Sequence, residues 1–180
     1  MTTYLDTDYR DTGAGDLVNY IGREGDTPVH DRAGRPMSAE KKERFIEKSE
    51  RHEFERHMIL SPENGKDLST DELGRETRRT MEQFTKGRPT ATYVYTVHRD
   101  TDHPHAHVAM TGEKTDLYMD KGDIENVREQ ANERMVERER YKHRHKEKER
   151  QNERERRERE QEKQLEKERE RANERGGMGR

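Results

Sequence analysis

Four of the chain's nine histidines fall in one short stretch, "TVHRDTDHPHAHVAM", residues 96–110. His103, His105 and His107 occupy every second position, and His98 lies just upstream. Neutral imidazole is a good ligand for divalent transition metals. Three such ligands leave coordination positions for water or substrate, an arrangement that suits chemistry better than a closed structural site. The chain contains no cysteine, so it has neither disulfides nor thiolate metal ligands. Any metal must therefore be held by histidine and carboxylate.

The elements around these residues explain how they can meet. "ATYVYTV" (91–97) is rich in the residues strands favour, and "HAHVAMT" (105–111) is a second strand after the turn "RDTDHP". Side chains alternate along a strand. Tyr93, Tyr95 and Val97 thus share one face of a hairpin with Ala106, Val108 and Met110. His98, His105 and His107 collect on the other. Cross-strand neighbours stand roughly 5 Å apart at Cβ, close enough for three ring nitrogens to converge on one ion. His103 sits in the turn, where a solvated or DNA-contacting role fits better than ligation. Asp100 is placed to orient a histidine through its second ring nitrogen, or to serve the turn itself.

Other segments read less chemically. Asp16 caps a short helix bearing Leu17, Val18, Tyr20 and Ile21, ended by Gly25. "DTPVHDRAGRPM" is a loop, and Ser38 opens a charged helix to about Arg51. "FERHMIL" (54–60) reads as a strand. Ser69 and Glu72 form a capping box before a stripe of Leu73, Thr77, Met81 and Phe84. Ile124, Val127, Ala131 and Met135 recur at helical spacing. Residues 1–14 show no clear period.

After Tyr141 the apolar side stops. The run of Glu alternating with Arg and Lys favours a solvated helix or a disordered tail, because it offers no seam to bury. Its "HRH" (143–145) would point two ways on a helix. Composition therefore divides the chain into a domain at 1–136 and a charged tail at 137–180. From Glu137 onward 17 Lys/Arg face 13 Asp/Glu, a net of +4, which leaves −7 on residues 1–136. That front half is acidic for a DNA-binding domain. No apolar run is long enough to span a bilayer and the N-terminus lacks a signal peptide's apolar core, so the expectation is a cytoplasmic protein without a membrane segment.

Taken in order, the segments resemble a family. "VHRDTDHPHAHVAM" resembles the histidine motif of plasmid mobilisation relaxases, the MobA-like and Ti-plasmid-type branch of the HUH endonucleases. "HMILSPENGKDLSTDEL" resembles their second motif, a strand ending at serine before a capped helix. "LVNYIGREG" resembles the first, which carries the nucleophilic tyrosine, and "LYMDKGDIENVREQANE" the segment after the histidine strand. The resemblance spans residues 1 to about 140.

It implies an α+β fold, a small antiparallel sheet with helices packed on one face and the site on the other. It also implies a nickase of conjugation, a DNA strand transferase acting at a plasmid origin of transfer. Its tyrosine becomes linked to the 5′-phosphate and frees a 3′-hydroxyl. Carried onto this chain, the nucleophile is Tyr20 and the ligands of a divalent metal, Mg²⁺ or Mn²⁺, are His98, His105 and His107. Ser61 contacts DNA near the cleavage site. Asp100 or a non-ligating histidine is the candidate base. The partners implied are single-stranded or melted plasmid DNA and accessory mobilisation proteins. Tyr20 also reads as a core tyrosine beside Leu17 and Ile21, with Tyr4 and Tyr9 as fallback nucleophiles. Two alternatives stand beside the relaxase. One is a rolling-circle replication initiator, which usually carries its tyrosine on a helix after the histidines. The other is a degenerate, non-catalytic domain that binds DNA or a partner.

Overall fold

The computed structural model describes residues 2–10, 15–23, 26–52, 54–137, 146–161 and 163–164. Four strands, β1 (Thr3–Arg10), β2 (Glu55–Pro62), β3 (Thr92–His98) and β4 (His105–Thr111), form one antiparallel sheet in the order β1-β2-β4-β3. The helices are α1 (Gly15–Ile21), α2 (Ala39–His52), α3 (Thr70–Phe84), a short α4 (Lys114–Leu117) and α5 (Lys121–Asn132). The architecture is α+β, as expected. Contacts divide the chain into two units, Met1–Glu139 and Arg140–Arg180. In the second, residues 146–161 are helical, with ion pairs such as Arg156–Glu160 at 3.1 Å. The "HRH" tripeptide lies outside the described residues, as does Gly25. No helix among the described residues is long and apolar enough to cross a membrane.

The hairpin has the anticipated register: His98 pairs with His105 and Thr96 with His107. Its apolar face carries Tyr93, Tyr95, Ala106, Val108 and Met110 into the larger core, joined by Met58 and Leu60 of β2. Leu73, Met81 and Phe84 of α3 and Val127 and Ala131 of α5 cover it. The capping box of α3 is formed, with Ser69 accepting from the Glu72 backbone N–H and Glu72 reaching back. These two helices are the ones expected on a single face. The other face is not bare. Val94 and Ala109 sit there in a smaller cluster with Leu17, Val18 and Ile21 of α1 and Phe45 of α2. Two small apolar positions beside the histidines are enough to dock α1, and this brings Tyr20 to the site.

β1 had no periodic signature. Its one partly buried apolar residue is Leu5, while Tyr4, Asp6 and Asp8 face outward on the histidine side. Pairing with β2, rather than burial of its own side chains, makes it a strand. The connection from β2 to α3 packs on the histidine turn. A Cβ at Gly65 would fall 2.7 Å from the Pro104 carbonyl oxygen, so only glycine fits. Lys66 pairs with Asp102 at 3.1 Å, and Arg99 donates to the Leu68 carbonyl.

Candidate metal centre

One ring nitrogen from each of His98, His105 and His107 can be chosen so that all three lie within 4.8 Å of one another. The Nε2 atoms of His105 and His107 are 3.0 Å apart. Two nitrogens bound to one divalent metal stand on the order of 3 Å apart. The remaining nitrogens are engaged. His105 Nδ1 donates to the His103 carbonyl at 2.8 Å, which leaves Nε2 to ligate. His98 Nε2 donates to the Ile21 carbonyl at 2.9 Å, which leaves Nδ1. His107 Nδ1 lies 2.8 Å from Nε2 of His57. Fixing the non-ligating nitrogen sets the tautomer and aims the other, as metal sites do.

Burial, with His105, His57 and His98 as neighbours, pushes His107 down to about 3. Burial also lowers His98, with the Arg23 guanidinium adding to the shift. Both are therefore neutral at pH 7, the form that binds metal. The donor set suits a divalent ion.

Tyr20 is not a core residue. It is 64% exposed, and its ring stands edge-on to His107 at 5.9 Å and to His57 at 6.2 Å between centroids. Tyr93 and Tyr95 are buried in the larger core. Tyr9 stacks on Phe54 on the sheet face away from the histidines. Tyr4 shares the histidine face and lines a cleft of about 630 Å³ with Ile59, Ser61, His103 and His105. That cleft gathers the two residues expected to touch DNA, Ser61 and His103. After the histidine strand, α5 buries Val127 and Ala131 and bears no tyrosine, and Tyr118 lies before it.

The Asp100 carboxylate engages Arg23 rather than a histidine ring, and this ion pair holds it below the usual carboxylate range. Arg23 in turn lies 3.4 Å from His98 Nδ1. It has a left-handed backbone, φ 46°, uncommon for a residue with a side chain.

Sequence reasoning passed over two residues of this site, His57 and Arg23. His57 was legible: Ser61 was already assigned to the site, and period two along β2 places Ile59 and His57 on the same face. Arg23 lies two residues past the end of α1 in a left-handed conformation, so no periodic signal announces it.

Comparison with curated proteins finds no match. Comparison with protein families does. The family described as relaxase, MobA/VirD2-like, nuclease domain, matches residues 37–139, more than half of the chain. The match contains His98, His105, His107, His57 and Ser61 and leaves Tyr20 upstream of it. With the histidine cluster in place, the chain belongs to the MobA/VirD2-like relaxase family and carries its nuclease domain.

Proposed function

We propose that this protein nicks one strand of plasmid DNA at an origin of transfer by transesterification, with Tyr20 as the nucleophile. The observation that carries the reading is the exposed Tyr20 ring standing against His107 at the edge of the histidine cluster. The Tyr20 oxygen forms a bond to phosphorus as the bond from phosphorus to the 3′-oxygen breaks. The product is a 5′-phosphotyrosine and a strand ending in a 3′-hydroxyl. The exposed phenol passes its proton to solvent, and the leaving 3′-oxygen takes one from solvent. Because one phosphodiester replaces another, the strand can be rejoined without an external energy source.

Mg²⁺ or Mn²⁺, held by His98, His105 and His107, would polarise the scissile phosphate. Arg23 stands at the same mouth, its guanidinium held by Asp100, and supplies a fixed positive charge for the phosphate oxygens. Asp100, paired in this way, is a weak proton acceptor, and its part is to position Arg23. His57 accepts from His107 and keeps that ring aimed.

In-line displacement puts nucleophile and leaving group on opposite sides of the phosphorus. Tyr20 lies towards the His57 and His107 level of the strands, and the 630 Å³ cleft lies towards His105 and Ser61. The nucleotide that leaves with the 3′-hydroxyl therefore occupies the cleft. Ser61 and His103 supply polar contacts there, and Ile59 and Tyr4 offer apolar and stacking surface to its base. Single-stranded or locally melted DNA is the form that fits, and accessory mobilisation proteins are the natural source of melting. Metal-dependent formation of a protein–DNA adduct, lost in Tyr20→Phe, tests the reading.

A further inference from the structure

The substrate of this reading carries a negative charge at every nucleotide, yet residues 1–136 have a net charge of −7. The histidine face also exposes Asp6 and Asp8 of β1. We propose that a cluster of arginines beside β3 is a second contact for the substrate strand, gripping its phosphates a short distance from the metal centre. This rests on the relaxase reading for the identity of the strand.

Arg32, Arg75, Arg78 and Arg79 line one cleft of about 510 Å³ around Tyr93, and the only carboxylate among its lining residues is Glu82. The cluster is built rather than incidental. Arg78 donates to the Tyr95 hydroxyl at 2.7 Å. The loop passes over it at Gly34, φ 81°, where a Cβ would fall 2.3 Å from the guanidinium. The Arg32 guanidinium lies 5.6 Å over the Tyr93 ring. Arg75 and Arg79 both reach Glu76, whose side chain is only 2% exposed, while their own side chains are 36% and 51% exposed. One buried carboxylate shared by two guanidiniums leaves several N–H donors facing outward. Planar guanidinium forks match phosphate oxygens two at a time.

Continuity with the metal centre selects nucleic acid over an acidic peptide. Tyr93 and Tyr95 lie on β3, the strand that ends at the ligand His98, and β3 is the outer strand of the sheet on that side. Tyr93 is about 16 Å from His98 along the strand. The cluster lies at the β3 edge on the α3 side of the sheet, the face opposite the histidines, so a charged polymer that passes the metal centre reaches it by turning round that edge strand.

The test is anisotropy binding of single-stranded oligonucleotides of about 6 and about 30 nucleotides across a salt series. Arg32→Gln with Arg79→Gln is compared with the lysine pair at the same positions. Arg44→Gln with Arg51→Gln on α2 removes equal charge elsewhere, and thermal melting checks each variant's fold. The expected result is about tenfold weaker binding of the longer strand in the glutamine pair. Its salt slope should be shallower by about 1.4, two single-strand phosphate contacts. The short strand, which offers fewer phosphates, should lose less, and the lysine pair should be intermediate. Unchanged affinity and slope, or an equal loss from the α2 control, would overturn the proposal. Adduct formation by the unaltered protein is scored separately. An adduct with no arginine effect removes this contact and leaves the relaxase. An arginine effect with no adduct removes the relaxase and leaves a strand-binding surface.

Discussion

His57 lies outside the three candidate ligands and bears on how one of them is held. It bonds the back of His107 at 2.8 Å, with the two rings parallel to within 2°. Removing such a partner typically costs 10- to 100-fold in metal affinity. His57→Ala should therefore weaken Mn²⁺ binding, measured by calorimetry, by about that factor, and His57→Gln should restore part of it by offering an acceptor. Equal affinity in all three proteins would show that His107 needs no such support. Acidity should be felt at the same residues. His107 is held at about 3 by burial, against about 6.5 for an unperturbed imidazole. The unfolded chain takes up this proton first, so the contribution is complete above pH 6.5 and lost as pH falls towards 3. In chelator, melting temperature should decline through that window, and His107→Gln should flatten the decline. A parallel decline in the variant would place the effect elsewhere.

Local chemistry made several elements readable. The Ser69–Glu72 box and the hairpin's two faces depend on residues a few positions apart, and both stand as expected. What depended on distant partners did not read. β1 owes its form to β2, and α1 reached the histidine face through Val94 and Ala109, two positions too few to announce a second core. The Gly65 turn is another long-range fit, since it meets Pro104, the residue before His105. Gly65→Ala should cost about 1–3 kcal/mol by overpacking. It should also lower metal affinity, because the start of β4 must shift with Pro104. Urea unfolding and calorimetry together check this. Unchanged stability would mean the turn yields without strain, and intact metal affinity would uncouple it from the site.

In the whole molecule, the histidine cluster, its supports and both clefts lie in the unit Met1–Glu139. The described helix at 146–161 is exposed throughout and held by pairs such as Arg156–Glu160. Exposed i,i+4 pairs contribute only about 0.3–0.5 kcal/mol each. A protein ending at Glu139 should keep its melting transition and its Mn²⁺ affinity. Loss of either would show that the tail supports the nuclease domain. Composition changes abruptly where apolar periodicity ends. The exposure of Tyr20 was not legible: it shares a helix with Leu17 and Ile21, and only docking of that helix shows it turned outward.

Strand transfer leaves a covalent mark. Single-stranded oligonucleotides from the replicon's origin, incubated with protein and Mn²⁺ or Mg²⁺, can be resolved on denaturing gels beside Tyr20→Phe and His105→Ala. A metal-dependent protein–DNA adduct is expected in the unaltered protein and absent from both variants. An adduct that survives Tyr20→Phe would contradict the assignment of the nucleophile and point to Tyr4, the other exposed tyrosine on the histidine face. No adduct from any origin strand, with metal still bound, would contradict strand transfer itself and leave a domain that holds DNA without cutting it.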